Sequence, residues 1–484
     1  MAQLTKERVL KGTPFYYVSL IITVVLMFGF KLLPPFATLT PLGMSVVGIF
    51  LGLVWGWSTI GLIVPSILGM VAFGFTSLFA NVTAAFTSGI GNQNTLIILM
   101  TFGILGILQV TGISKWLALK IVSWKIGRGR PWVLACLLMF AGYALQALTC
   151  SMAACLLVWN IFYNICETSR IEKGPYTQFV VFGIILGAIL SGQLFPYSWV
   201  VLTLTDAFTE VSGLPAPAFG PFVVWNFIIH MLVLAFFFVC GRFILRVKAP
   251  QLDKDMEIEK TEPLDVFQKA SLAGLAAFIV LLTLAGLLPA SNGLSAFLNK
   301  FSVVGTASVI LVILLGLNFR RCKPLEVYMA NACNWGLLFT VACVSILSSA
   351  MGDASTGIME WVQAALGPVF GSANPIVFLI LIPLIPALLT NVLNNLVMGV
   401  IFVPISYTFG VALGLNPTVL CVMVINLVSV ATITAAGCQP AAILHGNSEW
   451  ITSPQAAKFG VFATLASWLV NLCIGYPLEV GGQA

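Results

Sequence analysis

Two short polar interruptions of long apolar stretches hold the residues with chemistry to offer. Thr149-Cys150-Ser151 interrupts 131–166, and Thr390-Asn391-Val392-Leu393-Asn394-Asn395 interrupts 375–408. Hydroxyl and amide oxygens coordinate sodium, while amide nitrogens and hydroxyls donate to a carboxylate. Two further strings put polar groups beside helix breakers: Ser191-Gly192-Gln193-Leu194-Phe195-Pro196 and Gly437-Cys438-Gln439-Pro440. A break of this kind frees backbone groups from the helical ladder. Freed N–H groups at helix N-termini hold anions, and freed carbonyls hold cations. The candidate substrate ligands are therefore Thr149, Cys150, Ser151, Asn391, Asn394 and Asn395, joined by Gln193, Pro196, Gln439 and Pro440. The candidate sodium ligands are Ser151, Gly192, Thr390, Asn394 and Gly437. The plainer role for the same Ser, Thr and Asn residues is to cap half-helices.

Composition fixes the medium these groups must work in. The 484 residues include 22 Lys and Arg and 16 Asp and Glu, so 8% are charged and 60% are hydrophobic. An ordinary soluble domain is about 25% charged. This excludes a soluble enzyme, a nucleic-acid binder and a disordered chain, and leaves an all-α polytopic membrane protein. The 11 cysteines fall mostly in apolar stretches without a CxxC pair, so they read as small buried residues rather than disulfides or metal ligands. Walker A, HExxH and GxSxG motifs are absent, which argues against ATP-driven transport, an intramembrane protease and a typical serine hydrolase.

The elements that must position the polar groups follow from hydropathy. About eleven spans are expected, at 15–33, 41–57, 58–80, 92–112, 177–203, 221–246, 270–289, 301–318, 331–349, 416–444 and 456–479. The first reads as a retained helix rather than a cleaved signal peptide. The stretches 131–166 and 375–408 each read as a re-entrant hairpin, two half-length helices meeting at the polar tip. With the N-terminus in the cytoplasm, all Lys and Arg except Lys31 and Lys300 then fall on the cytoplasmic side, as the positive-inside rule requires. The C-terminus falls outside. The segment 204–219, with Asp206 and Glu210, is expected as an outer loop, and no charged residue but Lys31 is expected in the interior of a span. His230 lies within a span and is expected to be satisfied by a neighbouring helix; His445 stands near a break and has no assigned role. Asp353 and Glu360 are expected to be solvated.

The chain divides into an N-terminal helix at 1–40, a first half at 41–246, a charged cytoplasmic linker at 247–269 and a second half at 270–484. The halves repeat one another. Asn92, Thr101 and Ile107-Leu108 recur as Asn331, Thr340 and Ile346-Leu347, and Thr111-Gly112-Ile113-x-x-Trp116 recurs as Thr356-Gly357-Ile358-x-x-Trp361. The interrupted stretches and the broken spans follow in the same order. A unit with an odd number of spans makes the second copy inverted, a feature of secondary transporters. Broken helices are tolerated in a bilayer only where buried in protein or lining a wet cavity, so the four interruptions are expected to converge near the midplane.

These features resemble the divalent anion:sodium symporter family within the ion transporter superfamily. The resemblance covers nearly the whole chain. It rests on NTLIILMTFGILGILQVTGISKWLAL (residues 94–119), its partner from Asn334, the hairpin ending NNLVMGVIFVPI and the breaks at Pro196 and Pro440. The resemblance implies a homodimer with an elevator-type fold, in which interleaved scaffold and transport domains slide past each other. It also implies that the hairpin tips and breaks bind substrate carboxylate and Na⁺. Family members carry Ser-Asn-Thr at each tip, where this chain has Thr149-Cys150-Ser151 and Thr390-Asn391…Asn394-Asn395. The expected function is a sodium-driven symporter of a small organic anion such as a dicarboxylate, in a bacterial inner membrane and in contact with lipid, with Na⁺ as coupling ion and no organic cofactor. A proton-coupled or uncoupled carrier of another anion stays open beside it. So does a channel-like protein or membrane enzyme.

Overall fold

The computed structural model describes residues 13–147, 151–251, 262–287, 293–316, 323–370, 374–393 and 395–483. The described residues form helices and no strands. Eight of these helices are long and apolar enough to cross a membrane. The difference from eleven has a local cause. The expected span 58–80 holds only the helix Ile63–Phe73, and 301–318 follows a kink at Ser302. The spans 177–203 and 416–444 are each divided into two helices, whereas the hairpin arm Asn395–Ala412 reaches full spanning length.

The chain falls into two compact units, each assembled from three separate segments. The first comprises 1–98, 199–217 and 334–428. At its centre stands Trp335–Gly352, which packs against Trp199–Ser212, Ile63–Phe73 and Val82–Ile90. This helix is apolar around most of its circumference, the pattern of a helix enclosed by others. Its Thr340 hydroxyl is tied locally. Thr340 donates to the Gly336 carbonyl (2.7 Å) and lies 3.2 Å from Ser66 Oγ, which accepts from the Trp57 indole N–H (3.0 Å). The second hairpin, Pro375–Leu389 with Asn395–Ala412, belongs to this unit, and its latter arm packs on Trp199–Ser212.

The second unit comprises 99–198, 218–333 and 429–484. Pro175–Ser191 runs through it with every residue from Phe179 to Ser191 buried. The first hairpin, Pro131–Gln146 with Ser151–Thr168, lies against this helix, as do Phe219–Val239 and Ser453–Val470. Tyr143 on the hairpin and His230 on Phe219–Val239 meet at 3.2 Å through the tyrosine hydroxyl and Nδ1. A neighbouring helix thus supplies the partner of His230 Nδ1.

The repeated Thr-Gly-Ile strings have the same local form. Gly112 (φ 77°) and Gly357 (φ 70°) are both left-handed and both precede a helix, Ile113–Val122 and Ile358–Phe370. Their threonines each donate back into the preceding turn at 2.7 Å, Thr111 to Ile107 and Thr356 to Asp353. Asp353 and Glu360 are exposed. The amide and hydroxyl of Ser355 hold the Asp353 carboxyl below the usual carboxylate range.

Candidate functional site

Each break is written in the sequence and carried by local geometry. Pro175–Ser191 ends where Gly192 follows, and Gly192–Ser198 forms turns before a helix resumes at Trp199. Pro196 is half-buried there. Pro417–Ser429 ends before the non-helical 430–438, and Gln439–Gly446 begins with Pro440 in its first turn, where a missing N–H costs no hydrogen bond.

The first break holds the clearest unmet hydrogen-bonding capacity. Gln193 is 3% exposed; its Nε2 donates to the Ile189 carbonyl (2.9 Å), and its Oε1 is buried with no partner. Ser191 Oγ, on the other side of Gly192, is also buried without a partner. Gln146, at the end of the first hairpin arm, brings its amide nitrogen to 3.6 Å from where a Cβ on Gly192 would stand, and its Oε1 too is unsatisfied. A buried acceptor left unpaired costs about 1–3 kcal/mol. Three such oxygens around one helix break are the chemistry of a desolvated cation or polar-ligand site. Sequence reading singles out Gln193 and Gly192 but passes over Gln146 and Ser191. The signal was available in Ser191, which directly precedes the breaking glycine, and in Gln146, the last polar residue before the tip. The tip residues Thr149 and Cys150 lie outside the described residues; Ser151 is described only as the first residue of the helix Ser151–Thr168.

At the second tip Thr390, Asn391 and Asn395 are all buried. Thr390 Oγ1 donates to the Val428 carbonyl (2.8 Å), at the end of Pro417–Ser429. The hydroxyl therefore ties the tip to the last turn of Pro417–Ser429. Asn391 Nδ2 donates to the Ala387 carbonyl (2.8 Å), and Asn395 Oδ1 accepts from the Leu396 amide (2.9 Å). Both amides thus cap the ends of the arms. Asn394 lies outside the described residues.

The 430–438 segment is braced on its own side. Cys438 Sγ lies 3.2 Å from the Ala431 carbonyl, and a Cβ on Gly437 would stand 2.7 Å from that same oxygen, so only glycine fits. His445 bridges Ser453 Oγ (Nδ1, 2.6 Å) and the Thr432 carbonyl (Nε2, 3.2 Å). Thr432 itself is fully buried with its hydroxyl unpartnered. Gln439 opens the following helix half-buried, and Pro440 is buried. The sequence marks His445 only as standing near a break without a role, and does not mark Thr432, because their contacts shape a loop whose path the sequence does not display.

The expected outer loop at 204–219 is corrected. Residues 199–212 are helical, and Val200, Val201, Leu204, Ala207 and Phe208 form its buried face. That is a helical spacing the long span 177–203 had cut across. Asp206 therefore lies half-buried midway along a helix, not in a loop. Among the described residues no group of three His, Cys, Asp or Glu is gathered as a transition metal would need.

Enclosed helices, paired half-helices ending in polar tips, and broken helices lined by neutral oxygens define a polytopic membrane protein of the transporter class. The chain belongs to the citrate transporter family, which it matches over residues 50–425. That membership agrees with the resemblance read from the sequence, and the family and its relatives are transporters rather than enzymes. An uncharacterized transporter of Synechocystis sp. is 28% identical over 180 residues, which are 37% of this chain and 27% of that protein. The sodium-dependent dicarboxylate transporter SdcS of Staphylococcus aureus is 26% identical over 187 residues, 37% of this chain and 35% of SdcS. The matched segment thus spans about a third or less of these relatives. Among solved structures, the YdaH transporter of Alcanivorax borkumensis superposes with a TM-score of 0.58 at 13% identity, covering 91% of this chain and 98% of that one. MtrF of Neisseria gonorrhoeae superposes with 0.56 at 14% identity, covering 98% of both chains. These two likenesses establish a shared fold.

Proposed function

We propose that the chain is a secondary active transporter moving a small organic anion, a carboxylate, across a bacterial inner membrane on a sodium gradient. The observation that carries this reading is the set of buried, unpartnered oxygens of Gln146, Ser191 and Gln193 around Gly192. Neutral oxygens at a helix break are suited to Na⁺, and Na⁺ in turn supplies the positive charge that a carboxylate needs where no Lys or Arg stands. SdcS, a partial relative, is named for sodium-dependent dicarboxylate transport. In this reading Thr390, Asn391, Asn394 and Asn395 with Gly437, Gln439 and Pro440 form the second half of the binding machinery. Thr149, Cys150, Ser151 and Pro196 complete the first. Homodimeric assembly and an elevator motion belong to the same proposal, as do the domain division at 247–269 and a cytoplasmic N-terminus with an external C-terminus, which the distribution of Lys and Arg supports.

A thermal-shift screen of the purified chain tests the binding step. Citrate and succinate are expected to raise the melting temperature in Na⁺ and not in K⁺. A ligand at 100 times its Kd stabilises by about 2.7 kcal/mol, a shift of at least a few degrees. No shift with any carboxylate in Na⁺ would count against the reading.

A further inference from the structure

Within the second unit, two chain segments enclose a cavity of about 440 Å³. One is 169–176, the turn that joins Ser151–Thr168 to Pro175–Ser191; the other is 248–251, which follows Phe219–Val239 and its π-helical end. The volume is that of a small-ligand pocket, roughly 300–1,000 Å³. The lining carries Arg170, Lys173 and Lys248 against a single acid, Glu172, and all four are exposed. Lys173 pairs with Glu449 (2.5 Å) and lies 4.7 Å over the Trp450 ring. Arg170 and Lys248 have no acidic partner among the described residues. The turn after Ser151–Thr168 bonds Ile171 N–H to the Cys166 carbonyl (2.8 Å) and Arg170 N–H to the Glu167 carbonyl (3.3 Å). That pattern calls for a left-handed residue, most often glycine, yet Arg170 stands there at φ 51°. An arginine held where glycine is easier points to a use for its side chain. The start of Pro175–Ser191 is open in a matching way. Its N-cap, Gly174, has extended backbone, and a Cβ there would meet nothing within 4 Å. Serine or aspartate would fit and would cap the helix. Gly174 N–H is taken by Thr177 Oγ1 (2.9 Å) and Gln178 N–H by the Gly174 carbonyl (3.0 Å). The Tyr176 and Thr177 N–H groups between them have no acceptor among the described residues.

We propose that this cavity is a phosphate-binding site, taking the phosphodiester of an anionic phospholipid headgroup or a free phosphate. The Arg170 guanidinium offers paired N–H donors that fit phosphate oxygens. Lys248 adds a second positive charge, and the two open N–H groups bring the positive end of a helix. Basic pockets between membrane helices recognise such headgroups. Aromatic side chains at this level suit the membrane–water interface: Tyr176 donates to the Pro131 carbonyl (2.6 Å) and stands edge-on to Trp132 at 6.3 Å. The cavity lies at the opposite end of the 17-residue helix Pro175–Ser191 from the break at Gly192, about 25 Å away. It is separate from the candidate transport site and does not depend on the transporter reading.

Thermal-shift titrations of the full-length protein in detergent test the site, with phosphatidylglycerol, the diacylglycerol of the same acyl chains and inorganic phosphate as probes. Phosphatidylglycerol or inorganic phosphate is expected to raise the melting temperature saturably, and diacylglycerol to leave it unchanged. A shift with the lipid alone assigns the headgroup, and a shift with inorganic phosphate assigns the free ion; either supports the site. Arg170→Gly is expected to melt no lower than wild type, because glycine relieves the left-handed turn. Its affinity for the phosphate probe should fall about 10- to 100-fold. Gly174→Asp should also melt no lower and lose affinity by a similar factor, since its carboxylate caps the helix and takes the open donors. Arg246→Gly is the control. Arg246 has φ 49° but does not line the cavity, so the same relief should cost less than about fivefold in affinity. The proposal is overturned by no shift with either phosphate probe or by an equal shift with diacylglycerol. Unchanged affinity in Arg170→Gly or Gly174→Asp, or an equal loss in Arg246→Gly, overturns it too.

Discussion

Gln193→Leu is expected to reduce carboxylate uptake about 10- to 100-fold while the protein melts at nearly its original temperature. Removing a hydrogen bond to a charged ligand is worth about 1.5–3 kcal/mol, which sets the range. The stability argument runs the other way. The Gln193 amide loses its bond to the Ile189 carbonyl, yet that carbonyl still accepts from Gly192 N–H (3.1 Å). The buried Oε1, unpartnered in the folded chain, disappears with the substitution. Relief of an unmet acceptor offsets a lost neutral hydrogen bond of about 1 kcal/mol. A residue that serves only packing would therefore tolerate leucine in both assays. Uptake that survives at wild-type level would place the function elsewhere, whereas equal loss of uptake and folded yield would assign Gln193 a structural role.

Gly357→Ala is expected to be among the most destabilising single substitutions, at about 4 kcal/mol or more, with folded yield collapsing. Gly357 has φ 70°, and a Cβ there would stand 2.0 Å from the Thr38 carbonyl oxygen. The neighbourhood leaves no slack: Thr40 N–H donates to Thr356 O (3.1 Å), Thr40 Oγ1 to Ser355 O (2.7 Å) and Thr38 Oγ1 to Gly357 O (3.2 Å). All of these contacts are backbone oxygens that cannot rotate away. Its counterpart in the repeat supplies the control. Gly112 has φ 77°, and nothing lies within 4 Å of where its Cβ would stand. Gly112→Ala should therefore carry only the left-handed penalty of about 1–2 kcal/mol. Thermal melts of the two variants in detergent check the contrast, and equal losses would contradict the account of the close approach at Thr38.

How far the sequence reveals this molecule depends on whether the signal is composition or path. Helical class, membrane residence and family are legible because apolar stretches and the Thr-Gly-Ile repeat need no tertiary information. The breaks are marked by Gly192, Pro196, Gly437 and Pro440, since glycine and proline interrupt a helix wherever they fall. Asp206 was misplaced for a different reason. The seven residues from Gly192 to Ser198 are not helical, so the helix resumes only at Trp199 and holds Asp206 midway along it. Gln146, Ser191, Thr432 and His445 were silent because what distinguishes them is an unmet or bridging hydrogen bond. Such a bond exists only once distant segments are brought together, as in the contact of His445 with Ser453 and Thr432.

The central claim is that a sodium gradient drives carboxylate movement through this chain. Purified protein in sealed proteoliposomes, given labelled citrate or succinate and an inward Na⁺ gradient, tests it most directly. The account predicts accumulation above equilibrium that collapses when Na⁺ is replaced by K⁺ or when the gradient is dissipated by an ionophore. Uptake at the same rate and to the same level without Na⁺ would contradict it.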